Sequence, residues 1–255
     1  MVWGLGFGIW DLGFTIGHRM NRATVLGVTC AALLCATVLT WMDVRQQREF
    51  RRLIASGDAA LAHNETIAAV EAFSGAMALR PGSMLPYLKR GDTYRRRGLY
   101  DAAQRDLTRA ARLDPMATRP LEYLGDVAAA LGRFDEASAY YEKYVALDDH
   151  APRILYKAAV VQYRVHRPDA AEQLLRKAIG MDGKLAEAHY LLALCLRAEG
   201  RTNSALDALR QAVALKPALA EAPVELAAIY GALGRRHEQL ELLAADPVAR
   251  IGLRE

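Results

Sequence analysis

The residues able to carry chemistry on their own are few and dispersed. The six histidines, His18, His63, His150, His166, His189 and His237, are scattered along the chain. The three cysteines, Cys30, Cys35 and Cys195, include no pair with metal-ligand spacing and no even set that would frame disulfides. Cys30 and Cys35 fall inside an apolar run and Cys195 lies among leucines in LLALCLRAEG, so all three read as small apolar fillers. No phosphate-cradling GxxxxGK[ST] loop, HExxH or GxSxG motif occurs, and the early GLGFG does not follow a strand. The expectation is therefore of no enzyme: no catalytic residues, no metal site, no cofactor and no small-molecule substrate. A net charge of +4, from 33 basic and 29 acidic residues, is too mild a bias to argue for nucleic acid.

What remains is recognition, and the elements that would position it are helices. Apolar residues make up 53% of the chain and aromatic residues 7%, with alanine, leucine and arginine prominent. These are strong helix formers, and no stretch alternates apolar and polar residues for long. The fold class read from this is all-α.

One helix stands apart. Ala23 to Met42 is twenty residues without a charge. At about 1.5 Å per residue a helix of that length covers about 30 Å, the depth of a bilayer core. Arg19 and Arg22 flank one end, Asp43, Arg45 and Arg48 the other, and Trp41 sits at an interfacial position. We read 23–42 as a single transmembrane helix. A cleaved signal peptide or a lipoprotein leader fits the pattern less well. Before it, residues 1–22 are rich in aromatics and glycine. Trp3, Phe7, Trp10 and Phe14 recur at i, i+4, i+7 and i+11, one face of a helix, and read as membrane-segment contacts. Two readings stay open: an aromatic helix lying in the interface, or a short first leg packed against the span. Arg45, Arg48, Arg51 and Arg52 lean the rest of the chain toward the cytoplasm rather than the periplasm, and a hairpin would invert that. The alanine- and arginine-rich usage points to a bacterial inner membrane.

Beyond residue 50 the chain repeats itself. Pro81 to Pro115 is 34 residues, and Pro115 to Pro217 is 102, three times that. Ala69, Ala103, Ala137, Ala171 and Ala205 keep the same period, as do Phe73, Leu107, Tyr141, Leu175 and Leu209. So do Ala76, Ala110, Tyr144, Ala178 and Ala212. The units are 50–83, 84–117, 118–151, 152–185 and 186–219, following a linker over 43–49. A degenerate sixth unit and cap occupy 220–255. Gly98, Gly132 and Gly200 read as helix ends in a left-handed conformation. Asp101, Asp135 and Asn203 read as caps or dipole partners of the helix that follows.

This period and pattern resemble the tetratricopeptide repeat. The second unit is the fullest match, with Tyr87, Gly91, Tyr94, Ala103, Leu107, Ala110 and Pro115 at the family's positions. The resemblance implies a right-handed α-solenoid of helix pairs, A and B, whose A helices line a groove for partner proteins. By repeat register the groove receives Lys89, Arg95 and Arg96 with Asp92 from the second unit. The third unit supplies Arg119 and Tyr123 with Glu122 and Asp126. The fourth supplies Arg153, Tyr156, Lys157, Tyr163 and Arg164, and the fifth Tyr190 and Arg197. Arginine and tyrosine are the residues that anchor interfaces, so the implied partner is another protein, with an acidic segment or tail as a candidate. The asparagines of the family's clamp for chaperone tails are absent; Asp58, Asp92 and Asp126 stand there instead. The function implied is a membrane-anchored scaffold or adaptor. A structural accessory subunit of a larger membrane complex and an assembly chaperone for client tails are the alternatives.

Overall fold

The computed structural model describes residues 22–245; Trp3, Phe7, Trp10 and Phe14 lie outside them. Among the described residues every regular element is a helix, and there are twelve. They form six consecutive pairs: α1 Arg22–Ala62 with α2 Thr66–Leu79, α3 Met84–Arg96 with α4 Tyr100–Leu113, and α5 Thr118–Ala130 with α6 Phe134–Leu147. Next come α7 Pro152–Arg164 with α8 Pro168–Met181, α9 Ala186–Ala198 with α10 Thr202–Leu215, and α11 Glu221–Ala232 with α12 Arg236–Ala245. Each helix packs on its neighbours in chain order, and A helices of adjacent units also touch, as α3 does α5 and α7 does α9.

The alanine column is the seam of each pair. Ala69, Ala103, Ala137, Ala171 and Ala205 are all completely buried. A methyl is the largest group that lets helix B lie this close to helix A. Phe73, Leu107, Tyr141, Leu175 and Leu209, four residues further along helix B, are buried beside them. Against these rings and branches helix A presents Gly57, Gly91 and Gly125 in the first three units. A Cβ at Gly91 would sit 2.8 Å from Leu107 Cγ, and one at Gly125 would sit 2.5 Å from Tyr141 Cε1. From the fourth unit on, Ala159, Ala193 and Ala227 take this place, still buried. The array is thus built from two kinds of unit.

Turns repeat as well. Helix A ends in a left-handed residue at Gly98, Gly132, Gly200 and Gly234, with φ of 69° to 75°. In the first and fourth units the same place is held by Asn64 (φ 61°) and His166 (φ 58°). Neither is glycine, and a side chain in this region is crowded by its own carbonyl. Helix B ends two residues before Pro81, Pro115 and Pro217, as proline's missing N–H requires. The capping expected of Asp101, Asp135 and Asn203 is not seen. Leu99, Arg133 and Arg201 occupy the cap positions without side-chain bonds, and the three polar residues lie one place inside the first turn. There the two aspartates still face the positive end of the helix dipole.

The N-terminal organisation differs from expectation. Residues 43–49 are no linker: α1 is one 41-residue helix that runs through them and becomes helix A of the first unit. Its second half is clamped to α2. Gln46 Nε2 donates to the Leu79 carbonyl at 2.5 Å, Arg80 pairs with Asp43 at 3.0 Å, and the Arg80 guanidinium lies over the Phe50 ring. Among the described residues no helix is long and apolar enough to cross a membrane, so the fold does not support the span expected over 23–42. Side chains at 22–25 and 28 lie outside the described ones, and the charges from Asp43 onward continue the same helix without a break. Leu33, Leu34, Leu39 and Trp41 are each 60% or more exposed.

Candidate functional site

The A helices of successive units share a groove. Asp58 of α1, Lys89 and Asp92 of α3, and Arg119 and Tyr123 of α5 line one cleft of about 430 Å³. The basic residues expected there are present, but most are not available. Lys89 Nζ bonds both oxygens of Asp58, at 2.7 and 2.9 Å. Arg95 donates to Asp92 at 2.6 Å and reaches Asp126 at 3.5 Å, while its guanidinium stacks 4.7 Å from the Tyr123 ring centre. Arg96 donates to Asp92 from the other side at 2.9 Å. Lys157 Nζ bonds Asp126 and Glu122, each at 2.8 Å. Arg197 pairs with Glu225 of the next unit.

These bonds form a ladder. Asp58, Asp92 and Asp126 recur at the 34-residue period, and cations of the same or the next unit close on them. Burial lowers the proton affinity of Arg95 and Lys157, and the bonds to Asp92 and to Asp126 and Glu122 more than offset it, leaving both pKa values raised. Asp126 is the centre of the ladder, for it also accepts a 2.8 Å bond from the buried hydroxyl of Tyr141. Burial first, and the adjacent Asp126 second, push that phenol's pKa well up.

In the second half of the groove the aspartate column ends. The period places Val160 and Leu194 after Asp126. Tyr156, Val160, Tyr163, Tyr190 and Leu194 are half-buried there, packed on the core with part of each surface open. Arg153 and Arg164 stand exposed at the two ends of α7, and among the described residues neither has a carboxylate within 4 Å; the same holds for Arg119. Tyr123 beside Arg119 holds that guanidinium's pKa above its ordinary value. Tyr163 and Arg164, with His166, Pro168 and Ala198, line a second opening of about 540 Å³.

Sequence register gives these residues one face but not their pairing. The signal was available: Asp58 and Lys89, like Asp126 and Lys157, are separated by 31 residues, one repeat less one helical turn. Val160 and Leu194 were missed because they look like core residues. His189 is half-buried with Nε2 3.1 Å from the Gly183 carbonyl.

Three family models described as tetratricopeptide repeat match residues 88–152, 128–195 and 186–219, and the chain belongs to this family. No catalytic family is among the matches, and no curated protein matches the sequence. Solved structures share the fold at low identity. MamA from Desulfovibrio magneticus RS-1 is 21% identical with a TM-score of 0.61, over 67% of this chain and 95% of that one. YrrB, a repeat protein with an unusual peptide-binding site, is 21% identical with a TM-score of 0.61, over 73% of this chain and all of that one. PilF of Pseudomonas aeruginosa is 15% identical with a TM-score of 0.68, over 79% and 94%.

Proposed function

We propose that this chain is a membrane-anchored scaffold that holds partner proteins in the groove of its A helices. Tetratricopeptide-repeat proteins are protein-interaction scaffolds, and one structural neighbour is named for its peptide-binding site. The observation that carries the reading is α1. Its second half is welded to the repeats, while its first half carries twenty uncharged residues over 23–42 and, among the described residues, leaves Leu26, Leu33, Leu34, Val38, Leu39 and Trp41 exposed. So large an exposed apolar surface needs a cover, and a bilayer is the cover that an uncharged helix about 30 Å long matches. Exposed Arg45, Arg48 and Arg51 follow it directly, and by the positive-inside rule they support repeats that face the cytoplasm of a bacterial inner membrane. The same exposed half-helix would equally let the chain serve as a fixed subunit of a larger membrane complex, packed against other apolar helices.

Affinity purification of the full chain from gently solubilised membranes tests the scaffold. Stoichiometric partners that crosslink at Tyr156 support it. Recovery of the chain alone from the soluble fraction removes both the anchor and the scaffold. Crosslinks confined to Trp10 favour the fixed subunit. Protease protection in intact cells reports the side on which the repeats lie.

A further inference from the structure

We infer that the groove reads its partner in the fourth and fifth units, and that the partner is a segment in which carboxylates flank a pair of apolar side chains. The inference rests on the scaffold reading and sharpens it. Among the described residues the first three units offer an acidic segment one unpaired groove cation, Arg119, set against three aspartates. Each carries an aspartate on the groove face, Asp58, Asp92 or Asp126, and each of these already receives a lysine or arginine within 3.0 Å. The aspartates at 92 and 126 are only 13% and 18% exposed. A ligand carboxylate drawing on Lys89, Arg95 or Lys157 would weaken a bond to Asp58, Asp92 or Asp126, the last two largely buried, and that loss offsets what an exposed pair returns. The ligand would also meet that aspartate as a like charge.

Past Asp126 the aspartate column ends, and the carboxylates near this stretch are Glu187 beside Tyr156, paired with Lys216, and Glu221 and Glu225 beside Tyr190, the latter paired with Arg197. Where the column would continue stand Val160 and Leu194, with Tyr156, Tyr163 and Tyr190 around them. Tyrosine gives large contact area at small entropy cost, and a partly open valine and leucine supply an apolar floor. Arg153 and Arg164 bracket this floor from the two ends of α7. They lie eleven residues apart on one helix face, about 16 Å. Both are exposed and, among the described residues, lack a carboxylate within 4 Å; Arg153 lies near enough to Glu187 to help hold that carboxyl's pKa down, yet each five-donor fork keeps donors for a ligand's carboxylates. Two exposed cations around an apolar floor match a segment with two apolar side chains and an acidic residue on each side.

The test uses the full chain in detergent micelles and arrays of synthetic ten-residue peptides in three classes: acidic with a central apolar pair, acidic and otherwise polar, and apolar with basic flanks. Binding of the first class at least tenfold tighter than the other two is the expected result. Val160→Asp, which extends the aspartate column, should weaken it more than tenfold. Arg153→Gln with Arg164→Gln, both exposed and remote from the core, should weaken it similarly and flatten its salt dependence. Lys89→Gln should change it less than twofold. Helix content by circular dichroism confirms that each variant is folded. Equal binding of the purely acidic class, or loss of binding on Lys89→Gln with none on the arginine double variant, overturns the assignment but leaves the scaffold standing. A folded wild-type chain that binds none of the three classes overturns the groove reading itself.

Discussion

Tyr141 and Asp126 meet through the thickness of the third unit: the phenol of α6 donates to Asp126 Oδ1 across 2.8 Å. A helix-B core residue thereby reaches the groove face, which Phe73, Leu107, Leu175 and Leu209 at the same repeat position cannot do. Tyr141→Phe removes one bond to a charged acceptor and leaves the ring in place. The expected loss is about 1.5–3 kcal/mol of stability. Urea melts of wild type and variant give the value, and an unchanged midpoint would show that the Lys157 contacts alone hold Asp126.

The same cluster fixes the alkaline response. Tyr141 and Lys157 both have folded-state pKa values raised above the ordinary 10.0 and 10.5. A raised group binds its proton more tightly when folded, so its contribution is complete below the unfolded pKa and is lost as pH rises through the folded one. Stability should therefore be flat through neutrality and fall above about pH 10. Thermal melts between pH 7 and pH 11 check this, with Tyr141→Phe showing the shallower decline.

His166 occupies a left-handed turn where four other units use glycine. His166→Gly should stabilise the chain by about 1 kcal/mol, the crowding relieved less the extra freedom of the unfolded glycine. Asn64→Gly should gain less, because asparagine tolerates this conformation better. Denaturant midpoints decide; a loss at His166 would mean that the imidazole makes contacts worth more than its backbone strain.

Gly125→Ala puts a methyl where Tyr141 Cε1 lies 2.5 Å away. Overpacking of this kind costs about 1–3 kcal/mol. The reverse change at the matching place, Ala159→Gly, removes a buried methyl instead and costs about 1 kcal/mol. A chain indifferent to Gly125→Ala in a melt would show that the third helix pair can open freely.

Cys195 is buried, and burial, with Glu199 and Glu172 nearby, pushes its thiol up to about 12. It should resist thiol reagents at pH 8 until the chain unfolds, whereas Cys30 and Cys35 are exposed on α1. In native membranes the anchor reading expects a water-soluble maleimide to spare all three, and detergent-free labelling of Cys30 and Cys35 would count against it.

The fold was legible because its constraints are local and repeat. The alanine column, the B-helix ring and the prolines mark each unit's seam and end at a fixed period, and the helix pairs keep it. The groove was legible only as an address. Register says that Lys89 and Lys157 face it, but whether a cation there is free depends on a carboxylate contributed by the unit before. Counting charges along one helix cannot show that. The run through 43–49 differs for a related reason: polar residues after an apolar stretch suggest a boundary, yet arginine and glutamine are good helix formers, and Gln46 meets Leu79 while Asp43 and Phe50 meet Arg80 at the end of α2.

The unbroken α1 also sets direction. With no flexible joint between its apolar half and the first unit, the helix transmits rotation as a shaft does. One residue inserted between Asp43 and Glu49 would turn the whole array by about 100° about that shaft and raise it by about 1.5 Å. The side on which the groove opens is thus fixed by the number of residues between Trp41 and Phe50. Changing that number re-aims the groove without altering a single residue that lines it.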